Sequence, residues 1–222
     1  MKKIKISLIL NILIVILVVL GSIFMFTGFM FMPVIDLRLQ STSLGMFKYY
    51  TVDSNLLMGI ISLIMIIYEF RFINKKKKIP KKVFILKQIG TSGITLTFLI
   101  TLLFLMPQYG FYAMYNNTNL FFHMIVPLLS IISYIFFEKY DNKYKYSLIG
   151  ILPMFIYSIF YTINIVIHLD DGVSFKYDIY GFLNGDINNA YIVLPMLYLV
   201  SLFISFILIF LNKRGKYESI NY

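Results

Sequence analysis

The chain has 222 residues, of which 59% are hydrophobic and 14% charged, with a formal net charge of +10. Soluble domains carry about 25% charged residues and cannot hide this much apolar surface, so lipid must be the solvent for most of the chain. The absence of Cys excludes disulfides, a thiolate nucleophile and thiolate metal ligation, and basic residues confined to short segments between apolar runs exclude a nucleic-acid groove.

Six apolar segments follow one another, at approximately residues 6–32, 50–70, 83–106, 120–137, 147–167 and 190–211. Each comes near the ~20 residues that a helix needs to cross a bilayer. The predicted fold is all-α: a polytopic integral membrane protein with six transmembrane helices in one bundle, forming a single domain without an internal repeat. The first segment follows MKKIK but is too long for the core of a signal peptide and lacks a small-residue cleavage site, so it reads as an anchor. With no Trp in the chain, Tyr must supply any interfacial belt.

Lys and Arg set the orientation. One side holds Lys2, Lys3 and Lys5, then Arg71, Lys75, Lys76, Lys77, Lys78, Lys81, Lys82 and Lys87. It also takes Lys139, Lys143, Lys145, Lys213, Arg214 and Lys216, which leaves only Arg38, Lys48 and Lys176 for the other side. Both termini are therefore expected in the cytoplasm, in a cell membrane. Lys75 to Lys78 serve as a topology signal, or as a docking point for anionic lipid head groups at ~1 kcal/mol per basic residue. Membrane lipids are the expected partners, and no cofactor is implied.

On the opposite side, the loop 168–189 carries Asp170, Asp171, Asp178 and Asp186 and reads as an irregular acidic cap. Asn116 opens an N-N-T sequon. The stretch FKYYTVDSNL, at 47–56, packs polar residues into the entrance of an apolar helix. Three pairs at i, i+4 lie at that level: Thr51 with Asn55, Asn119 with His123, and Asn164 with His168. Four residues apart means one helix face, and faces turned into the bundle would form one polar cluster.

The chemistry of that cluster has two readings. Thr51, Asp53 and Ser54 can cap the free N–H groups of a helix start. Alternatively, Thr51 is a nucleophile, which needs a base to take its proton, and His123 is the well-embedded candidate. Ser54, about 60° round the helix from Thr51, is a rival nucleophile, whereas Asp53, about 200° round, points elsewhere. Asn55 and Asn119 would orient the pair or stabilise an oxyanion. His168 reads as an interfacial group, and the spacing of His123, His168 and Asp170 supports no metal site. Span three, with Gly90, Gly93 and several Thr and Ser, reads as a packing helix. No charged residue falls near the middle of a span, which weighs against proton-coupled transport.

The runs Tyr49-Tyr50-Thr51-Val52-Asp53-Ser54-Asn55-Leu56, His123 to Pro127 as H-x-x-x-P, and KYDIYGFLN at 176–184 resemble the androgen-induced-gene superfamily, above all its bacterial six-span relatives. Animal members of that superfamily are multipass hydrolases that cleave fatty-acid esters of hydroxy fatty acids with a threonine and a histidine. The His-to-Pro spacing here is one residue shorter than in the animal enzymes, and Ser-Asn after the threonine differs from them. The resemblance implies a bacterial membrane hydrolase of lipid esters using Thr51 and His123. The competing class is a non-enzymatic lipid-binding, transport or assembly protein whose polar cluster only holds helices together.

Overall fold

The structure is a computed structural model that describes residues 2–33, 42–140, 142–168 and 177–214. Arg38, Asp170, Asp171, Lys176 and Lys216 lie outside the described residues. Six helices are long and apolar enough to cross a membrane: α1 Lys2–Thr27, α2 Tyr50–Lys75, α3 Lys81–Tyr109, α4 Thr118–Phe137, α5 Tyr144–Ile167 and α6 Ile187–Arg214. No strand occurs among the described residues. This is the fold of a multi-pass membrane protein. Ile60, Leu103, Phe160, Leu199 and Phe203 are each at least 60% exposed, an apolar outer surface that fits lipid rather than water.

The helices start and stop close to the expected limits, with α1 shifted toward the N-terminus so that Lys2, Lys3 and Lys5 join its first turns. α3 is the most enclosed helix, as its small residues allow. A Cβ added at Gly90 would lie 2.7 Å from Ile61 Cδ1 of α2, and one at Gly93 would lie 3.0 Å from Pro153 of α5. Glycine at both positions thus lets α3 approach α2 on one side and α5 on the other, with little room for a Cβ.

Three short elements shape the end of the bundle away from the lysines. A 3-10 turn, Ser43–Lys48, leads into α2. A helical turn, Phe111–Met114, joins α3 to α4. Asn117 then turns the chain with φ +50°, and its side chain accepts from the N–H groups of Phe31 and Met32 at 2.8 and 2.7 Å. Asn116 is buried and donates to the Pro33 carbonyl at 2.7 Å. The sequon asparagine is thus a strap between the α1 and α4 ends.

The lysine-rich end holds buried charges that hydropathy does not reveal. Lys87, counted with the charges of this side, lies within α3, 0% exposed, and pairs with Glu138 at 3.2 Å. Glu69 of α2 is buried beside them. These residues sit near span ends in sequence yet inside the bundle in space.

Candidate functional site

α2 begins at Tyr50, and its N-cap residue is Tyr49, which makes no side-chain cap bond. Thr51 therefore stands within the first turn rather than capping it, and the capping reading of this stretch does not hold. The adjoining 3-10 turn delivers the chain to α2, so the hydroxyl at 51 is left for other contacts.

Thr51 and His123 line one narrow cavity of about 40 Å³, walled by Met25, Tyr49, Leu105, Asn119 and Tyr180 among others. Thr51 also borders a neighbouring cavity of about 30 Å³ whose walls include Leu96, Ile100, Met154, Phe182 and Leu197. Tyr180 and Leu105 line both. Both are narrower than the roughly 300–1,000 Å³ usual for small-molecule sites, and their walls are mostly apolar. No hydrogen bond joins Thr51 to His123.

The imidazole is held by one bond, from Nδ1 to the Met114 carbonyl at 2.6 Å. A carbonyl can only accept, so Nδ1 carries the hydrogen and Nε2 carries the lone pair. A backbone group here does the orienting job that a carboxylate does in many base-containing sites. Tyr115 stands edge-on to the ring, at 6.4 Å between centroids.

His123 lies in a π-helical turn, Phe121–Ile125, where the Val126 N–H bonds to the Phe121 carbonyl five residues back. In this register the Phe122 carbonyl would next pair with residue 127, but proline has no N–H. Asn55 supplies the missing donor, its Nδ2 reaching the Phe122 carbonyl at 3.0 Å and the Thr51 carbonyl at 2.7 Å. α3 repeats the device: a π turn at Thr101–Leu105 stands ahead of Pro107 and puts Leu105 into the cavity wall. Single π turns recur at functional sites because they re-aim side chains.

Tyr180 was not among the candidates from sequence, although it belongs to the KYDIYGFLN run. Asp178 accepts from the Leu183 N–H at 2.9 Å and from the Tyr161 hydroxyl of α5, and Gly181 turns the chain with φ +67°. That fold-back inserts Tyr180 between the two cavities. Its hydroxyl is buried and makes no aligned hydrogen bond, while the Thr51 and Tyr157 hydroxyls lie close enough to interact with it. Burial pushes the Tyr180 phenol well above its ordinary range, so it is a neutral O–H donor.

The other candidates separate from this pair. Ser54 Oγ lies 2.8 Å from Thr97 Oγ1 and 3.1 Å from the Thr51 carbonyl, facing α3. Both amide hydrogens of Asn55 are engaged by carbonyls, so it positions α2 against α4 and has none left for an oxyanion. Asn119 lines the His123 cavity and donates to Ala113 at 3.4 Å. Asp53 lines a different cavity, with Lys48, Tyr157 and Tyr161. His168 Nδ1 donates to the Asn164 carbonyl, 2.7 Å away, and the ring stacks on Tyr177 with centroids 4.0 Å apart. It does not line the cavity of His123.

No family model matches the chain, and no curated protein and no solved structure matches it. Its chemistry rests on its own residues.

Proposed function

We propose that the protein is an intramembrane hydrolase of lipid or fatty-acid esters, with Thr51 as nucleophile and His123 as general base. The observation that carries this reading is the shared cavity, in which His123 is oriented with its lone pair on Nε2 while Thr51 borders an apolar chamber. Nε2 takes the Thr51 proton as Oγ attacks the ester carbonyl. The Tyr180 hydroxyl donates to the developing oxyanion, and water then hydrolyses the acyl-threonine after the alcohol has left with the proton. A resting separation between nucleophile and base is compatible with this scheme, because catalytic hydrogen bonds often tighten only on substrate binding.

In this reading the narrow apolar chamber beside Thr51 widens to admit the acyl chain. The lysine-rich end faces the cytoplasm of a bacterial cell with both termini, and Lys75 to Lys78 rest near anionic head groups, so the cavity serves the outer leaflet. The test is labelling of purified protein with a lipid-like phosphonate. Labelling that disappears in Thr51→Ala and His123→Ala supports the hydrolase. Undiminished labelling of both variants favours a lipid-binding or assembly protein.

A further inference from the structure

At the lysine-rich end, four helical segments meet at a sealed polar point. α1 supplies Ser7 and Asn11, α2 Glu69, α3 Lys87, and the end of α4 Glu138; none of these is more than 2% exposed. Such a cluster in a lipid-embedded bundle is costly unless its charges and hydrogens balance. The balance can be counted hydrogen by hydrogen.

An ammonium has three hydrogens. Lys87 Nζ meets three acceptors: Asn11 Oδ1, Ser62 Oγ at 3.2 Å and Glu138 Oε1 at 3.2 Å. The Ser62 hydrogen is directed to Met58 Sδ at 3.6 Å, so nothing donates to Nζ and Lys87 is charged. Glu138 Oε1 also receives Ser133 Oγ at 2.8 Å and Asn11 Nδ2 at 2.9 Å. Surrounded only by donors, it is a carboxylate, and it cancels Lys87.

Glu69 is left over. Its partners are Ser7 Oγ at 2.5 Å and Asn11 Nδ2 at 3.3 Å, and among the described residues no cation bonds to it. A buried carboxylate without a counter-ion costs several kcal/mol, about the scale at which a proton is bound instead. Ser7 also reaches Glu138 Oε1 at 3.3 Å. The serine hydroxyl can therefore accept from a protonated Glu69 and donate to Glu138. Glu138 Oε2 is buried with no partner, an unfilled acceptor in the same cluster.

Among the described residues no further ionisable side chain bonds to the cluster. Lys139, next to Glu138, donates to the Asn212 carbonyl of α6 at 2.5 Å and interacts with Lys3 of α1. The charges that act on Glu69 are those of Glu138 and Lys87. α6 offers the cluster only the Asn212 amide, which bonds the Glu138 main-chain carbonyl at 3.1 Å.

We propose that Glu69, Ser7 and Glu138 form a proton-binding site that holds one proton per chain, resident on Glu69 at neutral pH, relayed to Glu138 through the Ser7 hydroxyl and balanced by Lys87. The ligand is a proton rather than a metal cation, because the Lys87 ammonium already occupies the central position between the oxygens. The site does not depend on the hydrolase reading.

Infrared difference spectroscopy of the purified full-length protein at neutral pH reads it directly. The carbonyl-stretch band of a protonated carboxyl is expected in the wild type and is expected to lose one carboxyl in Glu69→Gln, an isostere that can keep the Ser7 and Asn11 contacts. Lys87→Met leaves Glu138 without its counter-charge, so a second carboxyl takes a proton and the band grows. An unchanged band in Glu69→Gln overturns the proposal whether or not the Lys87 variant folds. So does a wild-type band that responds to added sodium at constant pH, which would identify a cation site.

Discussion

Asn55 of α2 donates to the main-chain carbonyl of Phe122 in α4 at 3.0 Å, filling the hydrogen bond that Pro127 cannot make. One amide thereby joins the helix that carries Thr51 to the turn that carries His123. The same two helices carry Glu69 and, just past the end of α4, Glu138 at the lysine-rich end. α2 and α4 thus share the cavity of Thr51 and His123 near one end and the buried cluster of Glu69 and Glu138 near the other.

The Asn55 clamp predicts a specific coupling. Asn55→Ala removes the donors to both the Thr51 and Phe122 carbonyls and should cost about 1–2 kcal/mol of stability, the upper range for hydrogen bonds within membrane bundles. Pro127→Ala restores an N–H that can serve the Phe122 carbonyl. In a double-mutant cycle followed by thermal unfolding in detergent, the cost of Asn55→Ala should shrink on the Pro127→Ala background. Strictly additive effects would contradict the π-turn account.

Tyr180→Phe removes one hydroxyl and keeps the ring that separates the two cavities. Phosphonate labelling should slow by about 10²-fold or more, the usual loss for one oxyanion donor, while the thermal midpoint moves little. If labelling is unaffected, Tyr180 is a wall residue and the oxyanion role is wrong.

Ser54→Ala distinguishes the rival hydroxyls. Its Oγ is engaged with Thr97 at 2.8 Å, so the variant should lose a modest ~1 kcal/mol of stability and retain labelling. Retained labelling in Thr51→Ala with loss in Ser54→Ala would transfer the nucleophile to Ser54.

Alkaline pH provides an independent check on the loop tyrosines. Burial raises the phenols of Tyr49, Tyr115 and Tyr180 above their ordinary values. Folding therefore favours their neutral forms: this part of the stability is fully present below the unfolded value of about 10 and is lost as pH rises beyond it. Thermal midpoints measured across that range should fall above about pH 10, and less steeply in Tyr180→Phe. A profile flat on the alkaline side would show that these phenols are not buried in the folded state.

The six helices were legible in the sequence because apolar runs of membrane length admit few other structures. The side of Lys87 was legible too, but its burial was not: hydropathy counts position along the chain, whereas its burial comes from α1 and the end of α4 supplying Asn11 and Glu138. Thr51, Asn119 and His123 could be placed at one level from their i, i+4 spacing, and they do line one cavity. Asn164 and His168 share that spacing on α5 yet point elsewhere, since periodicity assigns a helix face but not its neighbour. The role of Asn55 was out of reach because it depends on a π register created ahead of Pro127. Tyr180 could have been suspected from the D-x-Y-G order of its loop, where Asp178 and Gly181 make the fold-back.

The most direct measurement is the site of covalent attachment. After reaction with a lipid-like phosphonate and proteolysis, mass spectrometry should find the adduct on the peptide containing Thr51, on the threonine itself, and His123→Ala should abolish it while the protein stays folded. An adduct located elsewhere, or one on Thr51 that forms equally fast without His123, would contradict the Thr51–His123 mechanism.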